Sequence, residues 1–179
     1  MAMLDFAAFD AAPLKRDPYD YLVVPGFITP QGLDAINRDY PSLPGPGSHP
    51  VDKTEYGPAF AEFWQELNGP EFRARFGRKF GIDLDGSPVM ATVREFCEQT
   101  DGSIHTDSKT KIITILFYFN KEWPHTGGRL RILRSADDGK TWGDPVFIDE
   151  APDVHLQEPS LLQLDDGRLL CVMRRQGRQ

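Results

Sequence analysis

Cysteine is scarce in this chain: of 179 residues only Cys97 and Cys171 carry a thiol, they lie far apart, and they form no C-x-x-C. That spacing excludes a disulfide framework and reads as two small buried hydrophobes in a reducing compartment. Positive charge is also short. Lysine and arginine total 20 against 27 acidic residues, for a net charge of −7. No basic stripe is present to track a phosphate backbone, so nucleic-acid binding has no electrostatic support. Long apolar runs are missing as well. No stretch reaches the roughly 18 residues of a membrane helix, and Met1 to Asp5 has no basic start of a secretory signal. The expectation is a cytoplasmic protein with no membrane partner. Internal repeats and low-complexity segments are likewise absent.

What remains is ordinary globular material, 40% hydrophobic and 26% charged. Residues 21–28 read as a short strand closed by a Pro25-Gly26 turn. Thr29 offers an N-cap and Pro30 a first helical position, followed by Leu33, Ile36 and Tyr40 at helical spacing. Pro41 to Pro50 reads as a loop. Phe60, Phe63, Trp64 and Leu67 mark a second helix stopped by Gly69-Pro70, and Phe72, Phe76 and Phe80 a third with a basic outer face. From Pro88 the period becomes strand-like. Residues 89–96 form one candidate and residues 111–120 the strongest, with Ile112, Thr114, Leu116, Tyr118 and Asn120 on one face and Ile113, Ile115, Phe117 and Phe119 on the other. Helices first and antiparallel strands after predict an α+β fold. Beyond Arg134 the texture changes to a polar turn over 135–144, short strands at 145–148 and 161–164, and a hairpin signal at Asp165-Asp166-Gly167.

The chemistry-bearing signal is Gly102-Ser103-Ile104-His105-Thr106-Asp107. On an extended segment residues i and i+2 share a face, so an imidazole and a carboxylate converge. Two histidines and one carboxylate make the facial triad that holds Fe(II) with open positions. A bare H-x-D is a weak signal, and its alternative is a surface histidine beside a turn aspartate.

The wider run carries more. His105-Thr106-Asp107-Ser108 leads into Lys111-Ile112-Ile113-Thr114-Ile115-Leu116-Phe117-Tyr118-Phe119-Asn120, then Trp123 and Gly127-Gly128-Arg129-Leu130-Arg131. This order resembles the prolyl-hydroxylase-like group of Fe(II)/2-oxoglutarate-dependent oxygenases, over residues 1–134. The resemblance implies helices packed on a partial double-stranded β-helix, or jelly roll, and hydroxylation of a small-molecule or protein substrate by a dioxygenase. Fe(II) and 2-oxoglutarate would be its cofactors, with ascorbate as an optional reductant. His105 and Asp107 would be the first two iron ligands. Tyr118 matches the tyrosine whose hydroxyl bonds 2-oxoglutarate, with a core aromatic as the alternative. Thr114 would line the same pocket or simply pack. Asn120 and the Gly127-Gly128 pair have turn roles as alternatives, and Arg94 either faces substrate or makes a surface ion pair.

The family pattern then requires a distal histidine and an arginine that grips the far carboxylate of 2-oxoglutarate bidentately. His125 follows too closely to return across a barrel. His155 stands 48 residues past Asp107, but its surroundings lack the family's flanking residues and Arg168 is 13 residues further on. His155 is the candidate third ligand, against a surface loop histidine.

A second resemblance covers residues 135–179. Ser135-Ala136-Asp137-Asp138-Gly139-Lys140-Thr141-Trp142 fits S-x-D-x-G-x-T-W, the Asp-box of sialidase-like propellers, a self-stabilised hairpin whose glycine takes the positive φ. In that family's terms Glu158 would match the acidic partner of the tyrosine nucleophile and Arg174 a carboxylate-binding arginine; both are equally readable as residues at strand ends. One blade does not make a propeller. The alternative to an oxygenase is therefore a non-catalytic chimeric or truncated chain, oxygenase-like in front, with a carbohydrate-related C-terminal β-hairpin unit.

Overall fold

The computed structural model describes residues 2–17, 20–95, 111–121, 131–132, 141, 143 and 146–147. The chain divides into two compact units. The first comprises Met1–Lys15, Leu22–Pro44 and Ser48–Val93; the second comprises Arg16–Tyr21, Gly45–Gly47 and Arg94–Gln179. Helix and small antiparallel sheet are both present, as expected of a mixed α and β chain. No helix among the described residues is long and apolar enough to cross a membrane.

The first unit is built on four helices: α1 (Phe6–Ala11), α2 (Pro30–Arg38), α3 (Pro58–Asn68) and α4 (Pro70–Phe80). The last three match the sequence reading. Thr29 Oγ1 accepts from the Gly32 amide at 3.0 Å and Pro30 opens α2, so one orphan donor of the first turn is satisfied. Gly69-Pro70 breaks α3 from α4, with Pro70 starting the new helix because its missing N–H costs nothing there. Gly81, at φ +67°, closes α4, and the Ile82 amide reaches back to the Gly77 carbonyl at 3.0 Å. This is the left-handed C-terminal stop that a side-chain Cβ disfavours.

Helix α1 was not visible in the sequence pattern. Asp5 caps it by accepting from the Ala8 amide at 2.9 Å, and Phe9, with no exposure at all, anchors it. Six residues make under two turns, so tertiary burial rather than propensity holds this helix. Phe9 lies 4.3 Å from Phe76, centroid to centroid, and Phe76 lies 4.2 Å from Phe72. Phe6 and Phe27 complete this aromatic cluster. The basic face of α4 is spent on α1: Arg75 pairs with Asp10 and Glu71 and lies over the Phe6 ring, while Lys79 donates to the Asp10 carbonyl at 2.8 Å and lies over Phe9. Arg73 donates to the carbonyls of Leu84 and Ser87, tying the chain beyond α4 back onto the helix.

Helices α2 and α3 are joined by a single carboxylate. Gly57, at the start of α3, has no side chain with which to cap it. Asp39, at the end of α2, replaces that cap: Oδ2 accepts from the Ala59 amide at 2.7 Å, and the Asp39 carbonyl accepts from the Gly57 amide at 2.9 Å. The approach is so close that a Cβ on Gly57 would stand 2.7 Å from Asp39 Cβ and Cγ. Gly57→Ala is expected to lower stability by about 1–3 kcal/mol through this overpacking, measured as the shift of the urea midpoint.

Strand structure is shorter than the sequence reading expects. Over residues 21–28 no continuous strand forms. Ile28 instead bridges Leu4, flanked by Asp5 N–H to Phe27 O at 2.7 Å and Thr29 N–H to Met3 O at 2.9 Å. The Pro25-Gly26 turn is present: the Phe27 amide donates to the Val24 carbonyl at 3.2 Å, with Gly26 at φ +72°, the type II pattern. The expected loop over 41–50 ends in β1 (His49–Pro50), which pairs antiparallel with β2 (Thr92–Val93). Only these two residues of the 89–96 candidate pair in a ladder among those described, and Val89 and Met90 are exposed.

In the second unit, residues 111–121 show no ladder; Tyr118 alone takes a bridge position. Apolar alternation states which faces are buried, but a strand also needs a neighbour to receive its hydrogen bonds. The β-helix expected around this segment is therefore not part of the described structure. Further on, β3 (Arg131–Ile132) pairs antiparallel with β4 (Val146–Phe147), Arg131 opposite Phe147 and Ile132 opposite Val146. This ladder spans the expected boundary at 134/135. Tyr21, 7% exposed, has its phenol pushed above its ordinary value, first by burial and then by the charge of Asp17. A folded-state value above the unfolded one means stability that is complete below pH about 10 and lost as the pH rises through the folded value. Spectrophotometric titration should show a late-ionising phenol that disappears in Tyr21→Phe.

Candidate functional site

Of the residues that the sequence assigns to chemistry, Thr114, Tyr118, Asn120 and Arg94 fall in the described part of the second unit. His105, Asp107, His125, Gly127, Gly128, His155, Glu158 and Arg174 lie outside the described residues. Among the described residues no group of three His, Cys, Asp or Glu side chains is placed to hold a metal ion.

The 111–121 segment is arranged by its aromatics. Phe117 and Phe119 are buried, 5% and 1% exposed, and their rings lie nearly parallel, 14° apart with centroids 6.5 Å apart. Two rings at i and i+2 facing the same way are what extended backbone produces. Tyr118 between them therefore belongs to the opposite face, where it is half-buried. Thr114 shares the parity of Tyr118.

Thr114 is the distinctive residue here. It is 9% exposed, and its Oγ1 is sealed from solvent with no hydrogen-bond partner among the described residues. An unmade hydrogen bond on a buried hydroxyl costs about 1–3 kcal/mol, and such groups in folded proteins usually have a partner. A ligand oxygen beside Thr114 would satisfy it. The sequence offers a pocket role or packing for Thr114; nothing in it reveals that the hydroxyl has no partner among the described residues.

Arg94 is half-buried, with Nε sealed from solvent. Asn120 is half-buried at the end of the segment.

Thr114→Val removes the hydroxyl while nearly keeping the shape. Without ligand, the variant is expected to be more stable by about 1 kcal/mol, because the stranded polar atom is gone. The urea midpoint of the two proteins checks this; a loss of stability would show that the hydroxyl is satisfied within the protein.

No family model matches the chain, and neither does any curated protein or solved structure.

Proposed function

We propose that the chain is an Fe(II)- and 2-oxoglutarate-dependent oxygenase in its front part, residues 1–134, built around a partial jelly roll. His105 and Asp107 hold the metal. Tyr118 and Thr114 hold the 2-oxoglutarate through their hydroxyls. His155 is the candidate for the third ligand. The single observation carrying this reading is the ordered run from His105-x-Asp107 through Thr114 and Tyr118 to Gly127-Gly128. The buried Thr114 hydroxyl, without a partner among the described residues, supports it from the structural side.

The chemistry that Fe(II) and 2-oxoglutarate supply when bound is oxidative hydroxylation, with O₂ consumed and 2-oxoglutarate converted to succinate and carbon dioxide. The chain's own residues do the holding. One imidazole and one carboxylate, two residues apart, offer a neutral and an anionic ligand on one face. Two hydroxyls four residues apart offer donors to an anionic co-substrate, and the apolar Phe117 and Phe119 close the other side of the segment.

The test is succinate formation by the purified chain with Fe(II), 2-oxoglutarate and O₂, with and without chelator. Metal-dependent succinate supports the reading; its absence from a folded, iron-loaded sample overturns it. Loss of turnover in His155→Ala assigns the third ligand, and retention removes His155 from that role.

A second reading is favoured by the 135–142 Asp-box match together with the β3–β4 ladder that brackets it. In this reading the chain is a non-catalytic chimera with a carbohydrate-related tail containing Glu158 and Arg174. Glycan binding that is indifferent to chelator, without succinate formation, would favour it.

A further inference from the structure

We draw no further inference here: the strongest candidate, the sealed Thr114 hydroxyl on the 111–121 segment of the second unit, belongs to the site already described.

Discussion

Phe76→Ala is expected to destabilise the first unit by about 3–5 kcal/mol, the cost of emptying a large aromatic site in a packed core. Phe76 is 5% exposed. Its ring stands 4.2 Å from Phe72, 4.3 Å from Phe9, 6.2 Å from Phe27 and 6.4 Å from Phe80. Two of these neighbours lie on its own helix, where a gap is partly filled by rotamer changes. The other two come from α1 and from the turn before α2. Helix α1 is six residues long and has little intrinsic stability to fall back on. Deleting Phe76 should therefore loosen α1 first. Urea unfolding should give a lower midpoint, and hydrogen exchange should show the amides of α1 losing more protection than those of α3. A change below about 1 kcal/mol would mean that the cluster collapses around the void.

Asp107→Ala is expected to weaken divalent-metal binding by at least about 100-fold, since replacing even a supporting group around a metal costs 10–100-fold. Turnover to succinate should fall below detection. Asp107→Asn separates charge from shape: it keeps the side-chain size while removing the anion that Fe(II) requires. Mn(II) titration followed by calorimetry reads binding without relying on turnover. Urea unfolding of the same variants controls for folding. If Asp107→Ala binds Mn(II) as the unaltered chain does, the H-x-D pair is no metal grip and the proposed oxygenase site fails.

The helices were legible because their signals are local. Thr29-Pro30 and Gly69-Pro70 act through the backbone of the residues next to them, and the spacing of Phe60, Phe63 and Leu67 needs only a helical period to bury all three. Helix α1 escaped notice because six residues are too few for a period to show, and its stability comes from Phe76 and Phe27, distant in sequence. Strand pairing is less legible for a related reason. The 89–96 and 111–120 alternations foretell burial only in part: Val93, Phe117 and Phe119 are buried, but so is Thr114 of the other parity, and pairing depends on a partner that the pattern does not contain. The same holds for the site. That Thr114 and Tyr118 have the same parity is plain in the sequence. That the Thr114 oxygen lacks a partner among the described residues depends on everything packed around it, which no local motif encodes.

The β3–β4 ladder has a practical bearing on how the chain is cut for study. A fragment ending at residue 134 would keep Arg131 and Ile132 but discard Val146 and Phe147, the residues they pair with. Its last strand would be left as a raw edge, the kind of surface on which separate chains stick together. Expression boundaries are better set upstream of Arg131 or beyond Phe147, so that the two paired strands are removed or kept together.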